Sequence, residues 1–341
     1  MKIIELLPET WRSLQERRSR LPHALLLVGQ KGLGKYELAK AFAASLLCES
    51  PQTDGQACGH CLACNWYAQG NHPDFRLLQP EALAVEEAEV EEGKKKPSQQ
   101  ITIDQIRALD EFFNIGTHRG GLRIILVNPV EAMNRNAANS LLKTLEEPAP
   151  GTLFLLVSSD PMRLLPTIRS RCQALAVSQP PAARSLAWLQ AAGVSPGEEW
   201  LALAGGSPLL AIELAAEQQG NWLGRLAERL AGGLQNDPLL AAGELEKMIK
   251  ESKGRLTLKQ VVDGMQKWLI DLTLLSTGCS LRYFLGYESK IRQLAAMIPP
   301  ERTIRLYRAL CNSRREAEQP LNPRLFLEGL FLDYRTLFAV E

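Results

Sequence analysis

An excess of either charge is what this sequence most plainly lacks. Its 39 Lys and Arg stand against 38 Asp and Glu, a net charge of +1. No whole-surface field draws the chain onto nucleic acid, so any such contact must come from a local patch or a partner. Long apolar runs are lacking too: nothing approaches the ~20 residues of a membrane-spanning helix. The opening MKIIELLPETWRSLQERR has no extended apolar core before charge interrupts it, and it is expected not to act as a signal peptide. Without a secretion signal, the seven cysteines argue against a disulfide framework. A cytoplasmic protein with no membrane contact is expected. What is present, 45% hydrophobic and 23% charged residues, is the composition of an ordinary globular protein, and the length suggests two or three domains.

The first half alternates strand-like and helix-like runs. HALLLVG from His23, HPDFRLLQP from His72, Arg123–Val127 and Thr152–Val157 read as short buried strands. Lys35–Leu47, the amphipathic Ile103–Phe113 and Ala137–Glu147, stopped by Pro148, read as helices. This alternation predicts an α/β domain, a parallel sheet with helices on both faces. Residues 81–99, charged and low in complexity, read as a solvated insertion. Beyond Pro180 and Pro181 the chain is rich in Leu and Ala helices, so an all-α part is expected to the end.

Gly29-Gln30-Lys31-Gly32-Leu33-Gly34-Lys35 follows the first strand and opens a helix, the context a phosphate-binding loop needs. Gly29, Gly32 and Gly34 let backbone N–H groups approach phosphate oxygens, and Lys35 would reach the terminal phosphates. The alternative is a tight strand–helix turn kept for packing. Such a loop continues with Ser or Thr to hold Mg²⁺, but here Tyr36 follows. A phenol oxygen on a rigid ring cannot replace that short hydroxyl. The partner strand of such a site ends in two acids, one for the metal and one to orient water. Here Arg123–Val127 runs into Asn128-Pro129. Glu131 is close in sequence, yet alternation places it off the expected position. Three missing roles make hydrolysis in this site unexpected and leave ATP binding open.

Cys58, Cys61 and Cys64 are spaced by two residues each, and Cys48 ends the preceding helix. Four thiolates make a closed tetrahedral Zn²⁺ site, structural because no position stays open for water. His60 or His72 replacing one cysteine, unliganded core thiols and a redox pair are the alternatives. Cys172, Cys279 and Cys311 are isolated.

Four stretches together resemble one family: HALLLVGQKGLGK, Cys48 with CGHCLAC, NSLLKTLEEP (Asn139–Pro148) and TIRSRC (Thr167–Cys172). In order and spacing the chain resembles the clamp-loader branch of the AAA+ proteins, and within it the delta-prime subunits of bacterial DNA polymerase III. The resemblance is strong over residues 20–178, loose through AGGSPLLAIEL and only architectural beyond. It implies an AAA+ domain at 1–178 with a RecA-like sheet and a zinc module at about 48–64. A small helical lid domain at 179–218 and a C-terminal helical collar at 219–341 would follow.

The motor subunits of that family, gamma and tau, carry Thr or Ser, Asp-Glu and an Arg where this chain has Tyr36, Asn128-Pro129 and Leu209. Ser170-Arg171-Cys172 is intact, and the resemblance implies that Arg171 is an arginine finger reaching a neighbour's nucleotide site. Arg169 falls outside the match; a plain surface ion pair is the alternative for Arg171. The implied role is a non-hydrolysing ring member that works with gamma/tau and delta to load the sliding clamp on primed DNA. The rival readings are an active gamma/tau-like ATPase and a zinc-containing nucleic-acid module. The cluster's surroundings, GQACGHCLACNWYAQGNHPDF, hold no Lys or Arg, which disfavours the last.

Overall fold

The computed structural model describes residues 2–85, 97–114, 117, 121–216, 222–252, 254 and 256–339. Much of the expected insertion at 81–99, and the expected boundary at 218/219, lie outside the described residues; Glu81–Val85 is a short helix.

The chain divides into two compact units, Met1–Trp188 and Leu189–Glu341. The first holds five strands: β1 (Ala24–Val28), β2 (Phe75–Leu78), β3 (Arg123–Val127), β4 (Thr152–Ser158) and β5 (Gln173–Ala176). They form one parallel sheet in the order β2-β3-β4-β1-β5. The three central strands are apolar almost throughout because both of their faces are covered. On one face Ala24, Leu26, Ile125, Phe154 and Leu156 join Ile106, Leu109, Leu141 and Leu145 from helices Ile103–Asn114 and Arg135–Glu146. By alternation Leu25, Leu27, Ile124, Leu126 and Leu155 point to the other face and are equally buried. There the helix Lys35–Leu47 packs on β1, β3 and β4. This is the expected α/β architecture.

Local details follow from chemistry. Helix Arg135–Glu146 starts two residues before the expected Ala137 because Asn134 caps it, accepting from the Ala137 N–H at 2.8 Å. β5 was not expected. Its four residues QALA are half alanine, a residue depleted in strands, and it lies at the sheet edge beside β1.

The second unit contains no strand among its described residues. Its longest helix, Leu258–Ser276, begins with a capping box between Thr257 and Gln260. It packs against Glu288–Ala295 and Pro300–Glu316 around Trp268, Val261, Leu272 and Leu310. Two polar devices fix this apolar core. The Trp268 indole N–H donates to the Tyr334 hydroxyl at 3.0 Å, which donates to the Leu230 carbonyl at 2.8 Å. The fully buried Asp271 carboxylate accepts from the backbone N–H groups of Arg282, Tyr283 and Phe284. No described helix is long and apolar enough to cross a membrane.

Candidate phosphate cradle and metal centre

Parallel sheets place their ligands beyond the carboxyl ends of the strands, where connecting loops gather. The loop after β1 does so here. Gly32 and Gly34 have φ of 77° and 91°, a left-handed backbone that glycine adopts without penalty. A Cβ on Gly29 would sit 2.7 Å from the Val177 carbonyl oxygen. The glycines thus allow the tight turn of this loop, and Gly34 opens the helix Lys35–Leu47.

Lys35 is 4% exposed. Its ammonium donates to the Gln30 carbonyl at 2.6 Å and to Ser159 Oγ at 3.1 Å. Burial lowers its pKa to about 8, against the opposing pull of Glu131 and Glu37. Ser159 follows β4, and its backbone N–H donates to Glu131 Oε1 at 2.9 Å. The other carboxylate oxygen of Glu131 is buried and has no hydrogen-bond partner. Glu131 is therefore part of the cradle although it lies three residues past the strand-end position of Asn128. It arrives from the turn Val130–Ala132, which folds back beside β4.

The Asn128 N–H donates to the Leu78 carbonyl, continuing the sheet ladder, and Pro129 offers no side-chain oxygen. The Tyr36 ring lies under the Lys40 ammonium, 5.3 Å from nitrogen to centroid, one helical turn along the same face. Leu209 sits in the first turn of helix Pro208–Ala216, within the second unit.

Cys48, Cys58, Cys61 and Cys64 come together, with all four sulfurs within 4.8 Å of one another. The Cys48–Cys61 and Cys58–Cys64 sulfur pairs are each 3.9 Å apart. Tetrahedral thiolates at the usual ~2.3 Å from zinc would be roughly 3.8 Å apart, so these two pairs match a tetrahedral site and the cluster is close enough to hold a metal ion. Backbone N–H groups of Cys58, Cys61 and Cys64 donate to the sulfurs of Cys48, Cys58 and Cys61 at 3.2–3.4 Å, which favours thiolates. The Cys58 thiol is lowered to about 6, first by the His60 backbone N–H. Burial pushes the Cys64 thiol up to about 12. Neither histidine enters the cluster. His60 Nδ1 lies 3.0 Å from the Cys58 carbonyl, and His72 Nδ1 accepts from the Asp74 N–H. The Trp11 indole donates to the Asp54 carbonyl and Ser45 Oγ to the Gly55 carbonyl, tying the module to its domain.

Arg171 lies at the surface, where its guanidinium pairs with Glu146 at 2.6 Å and donates to the Thr167 carbonyl at 2.9 Å. Arg169 instead turns to the Pro161 carbonyl and Met162 sulfur.

The sequence profile described as DNA polymerase III, delta subunit, matches residues 7–181. The DNA polymerase III subunit delta' of Pseudomonas aeruginosa is 40% identical over 284 residues, 82% of this chain and 78% of that protein. The chain belongs to the DNA polymerase III delta-prime family. The delta' subunit of Escherichia coli is 35% identical over 206 residues, 60% of this chain and 57% of its own length. The DNA polymerase III subunit tau of E. coli is 33% identical over 153 residues, 45% of this chain and 21% of tau.

Proposed function

We propose that this chain is the delta-prime member of a clamp loader, a subunit that does not hydrolyse ATP itself and supplies Arg171 to a neighbouring motor. Gamma/tau and delta are the proposed partners. Through that complex the chain would help load the sliding clamp on primed DNA, in the cytoplasm. Membership of the delta-prime family supports the complex. The proposed division of labour within the chain is an AAA+ domain at 1–178, a lid at 179–218 and a collar at 219–341 that holds the ring.

Loss of hydrolysis rests on four positions. Hydrolysis needs a hydroxyl for the metal, a strand-end carboxylate and a group to orient water. Tyr36, Asn128 and Pro129 provide none of these, and Leu209 stands where the motor carries an arginine.

The observation that carries the trans role is the position of Arg171. It is a surface arginine whose side-chain partner, Glu146, is itself half exposed. Exposed pairs of this kind contribute roughly 0–1 kcal/mol. A polyphosphate in a neighbouring site offers more charge and bidentate geometry, so the guanidinium can exchange one anion for the other at little cost. A finger supplied in trans accelerates phosphoryl transfer by roughly 10³–10⁵.

The structural metal in the four-cysteine centre is proposed to be Zn²⁺. The donor set is all sulfur, and the geometry suits an ion with tetrahedral preference and no open position.

The test is ATP turnover by a reconstituted complex carrying Arg171→Ala. A strong fall, with the variant still folded and assembled, supports the reading; an unchanged rate removes the finger role. Turnover by the isolated chain that Lys35→Ala abolishes would instead identify a motor.

A further inference from the structure

The helix Pro300–Glu316 carries five arginines and no lysine. Its two acids, Glu301 and Glu316, stand at its ends, so residues 302–315 hold no carboxylate. Two of the arginines are used inside the unit: Arg302 donates to the Ala339 carbonyl and Arg314 pairs with Asp263. Arg305, Arg308 and Arg315 are exposed and have no hydrogen-bond or ion-pair partner among the described residues. Elsewhere in the unit Arg225, Arg229, Arg292 and Arg324 each pair with a glutamate. The three free guanidiniums, with Asn312, stand at i, i+3, i+7 and i+10. They form one stripe of the helix, opposite the buried Thr303, Leu306 and Leu310.

The stripe selects its partner. Three unneutralised guanidiniums call for a polyanion, and their planar forks suit phosphate oxygens. A protein interface is held by a buried apolar or aromatic centre, and the one large apolar side chain exposed on this helix is Ile304, 42% exposed. Single-stranded nucleic acid is held largely by stacking on aromatic rings. The helix's one aromatic residue, Tyr307, packs against the apolar core instead. A duplex needs neither device. Its phosphates follow one another every ~3.4 Å of axis on each strand, and the stripe, 10 residues at 1.5 Å, runs about 15 Å past them.

We propose that Arg305, Arg308 and Arg315 form a contact for the phosphate backbone of double-stranded DNA, one that reads no base sequence. Arginines on phosphates position a duplex without specifying it. The chain's balanced charge gives no general attraction to DNA, so a local stripe of this kind is how such a chain meets it. The contact belongs to the all-helical second unit and uses neither the glycine loop nor Arg171.

The experiment follows binding of the full chain to a fluorescent DNA duplex by anisotropy as salt is varied. Three phosphate contacts contribute a slope of about −2.7 in log affinity against log salt, so a threefold rise in salt should weaken binding about twentyfold. The triple variant Arg305→Ala, Arg308→Ala, Arg315→Ala should lose about tenfold or more in affinity at low salt and flatten the slope by about 2.7. Arg305→Lys, Arg308→Lys, Arg315→Lys together should keep the slope, because each contact retains its charge. A control that removes equal charge from the same unit, Arg225→Ala, Arg292→Ala, Arg335→Ala, should leave the slope within about one of wild type. A single strand of the same length should bind more weakly than the duplex. Three results overturn the proposal: no duplex binding by the folded wild type at low salt, an equal loss in the control, or tighter binding of the single strand. So does a triple alanine variant that binds duplex as wild type does but fails to join its neighbouring subunits, which would make the stripe a protein contact. None of these alters what is expected of Arg171→Ala in the assembled motor, so failure here is distinct from failure of the finger role.

Discussion

Arg171 and Glu146 meet at 2.6 Å, and the contact joins the two most distinctive stretches of the chain, SRC and LLKTLEEP. Each side chain keeps a third to a half of its surface in solvent. The pair is thus a partly exposed ion pair that adds little to the fold.

Glu146→Gln should therefore change unfolding free energy by less than about 1 kcal/mol. It should leave motor turnover in the assembled complex intact, or raise it by releasing Arg171. Chemical denaturation and ATPase assays check the two halves. A loss of several kcal/mol would make the pair structural.

The metal centre predicts one ion per chain by elemental analysis, with zinc as the metal. Cys61→Ser should lose most of it and lower the melting temperature, because metal binding and folding of such modules are coupled. Chelation of the wild type should do the same. A metal-free chain with an unchanged melting curve contradicts the four-thiolate site.

Lys35 predicts a pH dependence with a definite sign. Its folded pKa, about 8, lies below the ordinary 10.5. Below pH 8 both folded and unfolded chains hold the proton, and the full cost of burying the ammonium is present. Between pH 8 and 10.5 the folded chain releases the proton first and that cost fades with rising pH. Lys35→Met should accordingly stabilise the protein at pH 7 by about 1–3 kcal/mol, with the gain vanishing toward pH 10.5. Denaturation midpoints across that range are the measurement; a gain that grows with pH would contradict it.

Asp271 predicts a stability defect in the second unit. Asp271→Ala strands the N–H groups of Arg282, Tyr283 and Phe284 and should cost about 3 kcal/mol or more. Asp271→Asn keeps one acceptor oxygen and should cost less. Hydrogen exchange at residues 282–284 would locate the damage.

Much of this was readable in advance because the signals are local. Four strands announce themselves as runs such as RIILV, and the loop's glycines stand in one continuous stretch. The cysteine cluster is legible because metal ligation imposes short spacings. The unread parts depend on contacts across the chain. β5 is a strand because β1 offers it an edge, and QALA alone carries no such information. Glu131 enters the cradle because residues 130–132 turn back to Ser159, whereas counting along β3 pointed it elsewhere. The Arg171–Glu146 pair joins positions 25 residues apart in sequence (171 − 146), beyond the reach of periodicity.

The helix Lys35–Leu47 begins at the cradle and is followed at once by Cys48 of the metal cluster. At 1.5 Å per residue its 13 residues make a shaft of about 20 Å, seated along its length on the sheet. The glycine loop thus stands at one end of that shaft and the first thiol of the cluster at the other, with no loop between them.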